Sequence, residues 1–208
     1  MVRLFRYDMR VIPVPNRNDP GSVSLRSGSS VLIRDLLASD AGEVLTQTRK
    51  DIRYHRPWVH PPVTPEQFAE RIRRSQLPTN RSFAICRNDT GAIAGIVNIN
   101  EIIRGAFLSG YLGYYGFSEH GGRGYMTEGL NLVLAHAFRA LKLHRLEANI
   151  QPDNFRSLAL VRRCGFRREG FSPRYLKVAG RWRDHERFAR IREDFLGNRT
   201  ESNVCPTV

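Results

Sequence analysis

The chain of 208 residues is predicted to fold as one α/β domain: a mixed, mostly antiparallel sheet flanked by about four helices. Three observations carry this. Runs rich in β-branched and aromatic residues recur at 30–36, 81–87, 92–103, 109–117 and 144–150, with two more after 165. Amphipathic helical patterns lie between them. A strand, a glycine-rich turn and a helix follow one another directly inside the segment 111–151, which reads as a strand–helix–strand unit. We place the domain at 1–196, with 13–30 (PVPNRNDPGSVSLRSGSS) an irregular arm or loop and 197–208 a flexible tail.

The elements follow in order. SVLIRDL (30–36) reads as a strand, and Asp40 with Glu43 makes a capping box for a helix running toward Lys50. Thr64 caps a second helix, with Pro65 at its first position, Gln67 completing the box, and Phe68, Ile72 and Leu77 on its apolar face. RSFAICR and AIAGIVNINEII form a hairpin across Asn88-Asp89-Thr90-Gly91. SGYLGYYGF is a further strand, and Met126 to Leu141 place Leu130, Val133, Leu134, Ala137 and Phe138 on one helical face. HRLEANI returns to strand. Asp153 or Asn154 caps a short helix through Val161, ended by Gly165, and the last two strands turn near Gly180.

No apolar run approaches the roughly 18 residues needed to cross a bilayer, and the N-terminus lacks a secretory pattern. We expect a soluble, cytoplasmic protein. Cys86, Cys164 and Cys205 are odd in number with no C-x-x-C spacing, which argues against a disulfide framework or a zinc site; Cys86 and Cys164 are expected as small buried residues. The six histidines show no ligand pairing, are expected to be structural or solvent-facing, and imply no metal. The net charge of +13 favours an anionic partner such as a phosphorylated cofactor or RNA, although a generic basic surface gives the same count.

HGGRGYMTEGL (120–130) is the chemical focus. A strand entering a glycine turn and then a helix presents unpaired N–H groups and the positive end of a helix dipole, which suits phosphate. Neither the P-loop nor the dinucleotide G-x-G-x-x-G pattern is present, so a tight structural turn is the competing reading.

YLGYYGFSEHGGRGYMTEGL followed by HRLEANIQPDNFRSLALVRRCGF resembles the acetyl-CoA-binding half of the Gcn5-related N-acetyltransferases. Within them, NEIIRGAF, RPW (56–58) and GRWRDH (180–185) resemble the RimJ/RimL branch, RimJ most, which acetylates N-terminal amines of ribosomal proteins; the match runs over about residues 81–190. The resemblance implies acetyl-CoA as co-substrate and no metal. It also implies a β-bulge that splays the strand at 112–117 from that at 145–151. Its pyrophosphate loop, Q/R-x-x-G-x-G/A, falls on Gly121, Gly122, Arg123, Gly124, Tyr125 and Met126, so Gly121 replaces the Gln or Arg and Met126 the small residue. Gly116, Phe117, Ser118 and Thr127 flank the cofactor, and Asn154 and Ser157 match the asparagine and serine that contact the pantetheine arm, Asn154 being also a plain helix cap.

Acetyl transfer from a thioester needs a neutral amine, a polarised carbonyl and a proton for the thiolate, but no enzyme nucleophile. Many relatives protonate the thiolate with a tyrosine whose place is here Val161, which leaves Ser157 as the candidate acid. For the base we place Glu147 slightly ahead of Glu101, noting that alternation could turn either toward solvent. Trp58, Tyr114, Trp182 and Asp184 are candidates for the acceptor groove; for Trp58 and Trp182 core packing is the other reading. At pH 7 roughly a tenth of an α-amine but only about one part in 2,500 of a lysine is neutral, a gap of about 3.5 kcal/mol, so a weak base suits N-terminal amines. The resemblance, which this match supports, implies a protein N-terminus, that of a ribosomal protein, as acceptor, with weak ribosome or RNA contact through the basic surface. A small-molecule amine acetyltransferase and a non-catalytic ribosome- or RNA-binding module are the alternatives.

Overall fold

The computed structural model describes residues 25–197. Its elements are β1 (Arg26–Ser27), β2 (Val31–Asp35), α1 (Ala41–Lys50), α2 (Ile52–His55), α3 (Pro65–Ser75), β3 (Arg81–Arg87), β4 (Ile93–Ile103) and β5 (Ser109–Gly116). They continue as α4 (Tyr125–Arg139), β6 (Arg145–Ile150), α5 (Phe155–Arg163), β7 (Arg167–Val178), β8 (Arg181–Ile191) and α6 (Arg192–Gly197). The strands form one sheet in the order β1-β2-β3-β4-β5-β6-β8-β7. All neighbours are antiparallel except β5 and β6, the pair joined through α4. The predicted fold class is what is found.

Two cores pack on the sheet's two faces. On one, α4 and α5 bury Leu130, Val133, Leu134, Phe138, Leu158 and Val161 against Leu112, Leu146, Ala148, Ile150 and Phe188. On the other, α1 and α3 bury Val44, Leu45 and Phe68 against Ile93, Ile96, Tyr115 and Phe117. The apolar residues of α4 recur at helical spacing and those of the strands alternate, so sequence periodicity sorts side chains to faces without further information. Cys86 and Cys164 are buried as expected, one on each side.

Thr64 caps α3 as expected, its Oγ1 accepting the Gln67 N–H at 3.3 Å, while Gln67 Oε1 accepts the Val63 N–H at 2.8 Å. Leu77 lies past the end of α3 and is exposed rather than on its apolar face. The box expected of Asp40 and Glu43 does not form. Asp40 pairs with Arg34 at 2.7 Å and accepts the Leu37 N–H at 2.8 Å, capping the short 3₁₀ turn before α1; Glu43 accepts the Ile93 N–H at 2.6 Å, bracing β4. Asp40 caps the preceding turn rather than α1, and Glu43 takes a tertiary donor instead of a local N–H. The segment at 25–30, expected as irregular, contributes β1, and α2 and α6 were not foreseen. The rest of the 13–30 arm, the tail beyond Gly197 and Cys205 lie outside the described residues. Among the described residues no helix is long and apolar enough to cross a membrane, and no group of three His, Cys, Asp or Glu side chains could hold a metal ion.

Candidate active site

The ladder between β5 and β6 runs from Ser109–Arg145 to Leu112–Ala148 and stops. Beyond it β5 stays paired to β4 up to Gly116–Gly95, and β6 to β8 up to Ile150–Glu186. Each strand is thus committed to its outer partner and the two diverge, opening a cleft of about 1600 Å³ through the sheet. The expected splay is present. The bulge expected on 112–117 is not: β5 is in regular register there, and the shift in the β4–β5 ladder lies at Asn100–Ile103, around Glu101 with its positive φ of 49°.

The glycine loop forms one end of the cleft. Gly121 N–H donates to Ser118 O at 3.0 Å, and Thr127 and Glu128 N–H donate to Gly124 O at 2.9 and 3.0 Å. Between them, the N–H groups of Gly122, Arg123, Gly124, Tyr125 and Met126 have no protein acceptor among the described residues. Five consecutive free donors at a helix N-terminus are an anion seat. Gly122 and Gly124 sit at φ +76° and +80° with nothing within 4 Å of an added Cβ, so left-handed backbone, not protein crowding, requires glycine. Gly121 has ordinary φ, but a Cβ there would stand 3.1 Å from Ser118 O. Met126 fits a notch made by the cross-strand pair Gly95 and Gly116, where added Cβ atoms would come within 2.4 and 3.0 Å of its side chain. That notch is why a large residue is accommodated at this position.

Two of the predicted flanking residues anchor the loop. Phe117 is fully buried and its N–H donates to Ala94 O at 3.0 Å. Ser118 commits both its N–H, at 2.6 Å, and its hydroxyl, at 2.5 Å, to the carboxylate of Asp51, which is 3 % exposed. Asp51 is a fixing point that sequence reading missed, because its partner lies 67 residues away. Burial works against ionisation of Glu128, yet the Ser30 N–H at 2.9 Å and the Ser29 hydroxyl at 3.1 Å hold it below the usual carboxylate range and tie α4 to β2's entry.

Across the cleft, Asn154 Oδ1 caps α5 by accepting the Ser157 N–H at 3.2 Å. Ser157 also faces Tyr114, whose hydroxyl is buried without a hydrogen-bond partner; burial pushes that phenol above its ordinary value while Ser157 acts to lower it. Arg156 of α5 stacks on the ring of Tyr54 of α2 at 5.1 Å, and Gln151 Nε2 reaches Trp58 O at 3.5 Å, so the two walls touch over the cleft. Trp58, Tyr114, Asn154 and Ser157 all line it.

The structure does not bring the other candidates there. Glu147 accepts from Arg145 Nε at 2.9 Å, and the same guanidinium holds Glu169. Glu101 is exposed on its irregular strand segment, and neither carboxylate lines the cleft. Trp182 is 61 % exposed and outside it. Asp184 Oδ1 accepts the Arg174 N–H at 2.7 Å, pinning the irregular stretch of β7 between Ser172 and Leu176. Three histidines that the sequence gave no reason to place there line the cleft: His55, whose Nε2 donates to Gly116 O at 2.9 Å, His120, whose ring meets Tyr125 edge-on, and His185.

The chain is similar to known proteins in sequence and in fold. Residues 30–167 match the acetyltransferase (GNAT) domain family. A probable N-acetyltransferase, YjcK of Bacillus subtilis, is 34% identical over 128 residues, 62% of this chain and 69% of that protein. The [ribosomal protein uS5]-alanine N-acetyltransferase of Escherichia coli is 38% identical over 103 residues, 50% of this chain; the match spans about half of that relative, 53%. The structure of Mycobacterium smegmatis RimJ in complex with CoA-disulfide superimposes with a TM-score of 0.72 at 30% identity, over 79% of this chain and 83% of that one. With the family's model matching two thirds of its length, this chain belongs to the GNAT family of N-acetyltransferases.

Proposed function

We propose that the protein transfers acetyl from acetyl-CoA to the N-terminal α-amine of a protein, a ribosomal protein by preference, by direct attack without a covalent enzyme intermediate. The observation that carries it is the row of free N–H groups from Gly122 to Met126 at the end of the cleft between β5 and β6. The donors suit a pyrophosphate, with exposed Arg123 adding charge, and the cleft leads from them past Asn154 to Ser157. Phe117, Ser118 and Gly121 serve by shaping the loop, since their N–H groups are already bound.

Ser157 protonates the departing thiolate. Tyr114, which it faces, keeps a buried hydroxyl without a hydrogen-bond partner beside it. Trp58 walls the acceptor side. The ribosomal-protein acceptor is supported by the Escherichia coli relative, and a basic surface at net charge +13 favours contact with ribosomal RNA.

Incubation of the full chain with acetyl-CoA and peptides beginning with Ala or Ser tests this. A mass gain of one acetyl group on the α-amine is expected. Acetylation of a small polyamine with none on the peptides moves the acceptor class to small amines; no CoA binding with steeply salt-dependent RNA binding rejects the catalytic reading altogether.

A further inference from the structure

Transfer to an amine needs somewhere to send the ammonium proton, and neither candidate carboxylate is placed to receive it. Glu147 is held by Arg145, and Glu101 lies outside the cleft. His185 does line the cleft. Its Nδ1 lies 2.9 Å from Arg183 O. A carbonyl oxygen only accepts, so Nδ1 carries the hydrogen and Nε2 keeps its lone pair. No described residue hydrogen-bonds to that nitrogen.

The ring's direction follows from strand alternation. Phe188 of β8 packs in the core under α4, so His185, an odd number of residues earlier, points to the opposite face. Ser157 stands on α5, on the α4 side. The two groups thus flank the gap from opposite faces of the sheet.

We propose that His185 is the general base of the reaction, Nε2 taking the proton of the acceptor ammonium directly or through one water. The proposal rests on acetyl transfer to an amine but not on that amine being a peptide's. The ammonium gives one proton to Nε2. The freed nitrogen then bonds to the thioester carbon as the C–S bond breaks, and the thiolate takes a proton from Ser157, which is resupplied by the second proton leaving nitrogen. The imidazolium returns its proton to solvent. Burial lowers the His185 pKa below its ordinary value, while the Arg183 carbonyl and the charge of Asp184 act to raise it. Tyr175 of β7 meets the ring edge-on at 6.2 Å. Burial thus favours the neutral ring, whose Nε2 lone pair is the one left to accept a proton.

The test compares wild type with His185→Ala and His185→Gln, using whichever amine, peptide or polyamine, the wild type acetylates. Both variants should lose about a hundredfold or more in kcat at pH 7 while CoA affinity stays within about twofold. Added imidazole should restore part of the His185→Ala rate. Wild-type kcat should fall on acidification below the ordinary histidine range, and the variants should lack that limb. Variants with near-wild-type kcat, or a loss of CoA affinity without imidazole rescue, overturn the proposal. Long-range proton–nitrogen NMR on the wild type needs no variant to fold: Nδ1-protonated neutral imidazole at pH 7 is expected, and the other tautomer or an imidazolium overturns it. A wild type that acetylates no amine at all would sink the functional reading together with the base; transfer that survives His185→Ala would sink the base alone.

Discussion

Gly124 separates two things glycine does in a phosphate loop, tolerating left-handed backbone and leaving room for the ligand. Its φ is +80° and an added Cβ would meet no protein atom within 4 Å, so Gly124→Ala costs stability through backbone strain alone. A left-handed alanine costs about 1–2 kcal/mol, offset by about 0.4–1 kcal/mol from the stiffer unfolded chain. The net loss of about 1 kcal/mol lowers Tm by roughly 2–4 °C in a domain of this size. Gly124→Asn tolerates the same backbone and should lose less than half as much. Affinity behaves differently, because both variants place a Cβ beside the free N–H groups of Gly122 to Met126. CoA binding should weaken about tenfold or more, about 1.4 kcal/mol, in both, read by calorimetry beside thermal unfolding. Asparagine should rescue folding and not binding. Wild-type CoA affinity in Gly124→Asn would refute the cradle, and a stability loss above about 3 kcal/mol in Gly124→Ala would refute the open geometry around this residue.

Other positions give independent checks. Asp51→Ala removes both contacts to Ser118 and should cost about 2–3 kcal/mol in chemical denaturation, with weaker CoA binding as the loop loses its anchor. In Gly129→Ala the new Cβ would lie 2.4 Å from Ile85 Cδ1 in the core, an overpacking worth about 1–3 kcal/mol that Gly129→Ala/Ile85→Ala should partly relieve. Ser157→Ala should lower kcat about tenfold or more with CoA affinity little changed; wild-type turnover would remove it from the reaction. His136 is mostly buried against Phe83 and its pKa is pushed down to about 4, so the unfolded state binds its proton first. Its contribution is complete above pH 6.5 and is lost as pH falls toward about 4, by about 3 kcal/mol, and His136→Gln should flatten that part of the stability profile.

What was legible in the sequence was local. The turn at Asn88–Gly91, with Gly91 at φ +74°, and the caps at Thr64 and Asn154 depend on residues a few places apart, and all three formed. The glycine loop was legible because its conformational demand falls on the residues themselves. Where a side chain had a choice between a near and a far partner, local reading failed: Asp40 turned to Arg34, Glu43 to Ile93 N–H, and Asp51, unremarkable in sequence, took both polar groups of Ser118. α2 is a single turn of four residues, too short to show a period. The choice of Glu147 failed to foresee Arg145, two residues away on the same strand, and that arginine's second hold on Glu169 of β7. His185 needs the fold to become visible, since only strand pairing shows which face it takes and only the Arg183 contact fixes its tautomer.

The parted strands also constrain what can react. The cleft is a passage through the sheet, bounded by β5 and β6, with Ser157 and Tyr114 on the α4 side and His185 on the other. In the proposed reaction the cofactor sits on the Gly122–Met126 donors with Ser157 on the α4 side, and the acceptor approaches from the opposite face, past Trp58. An amine at the end of an extended chain can thread such a passage with its substituents trailing behind. On the proposed reading, an α-amine's pKa of about 7.7–8.0 against about 10.4 for lysine makes a base as mild as imidazole sufficient. The same site should therefore discriminate by amine basicity as well as shape. Peptides with a blocked N-terminus and an accessible lysine should react at least about a hundredfold more slowly than their free N-terminal counterparts, and comparable rates would show that the passage does not select in this way.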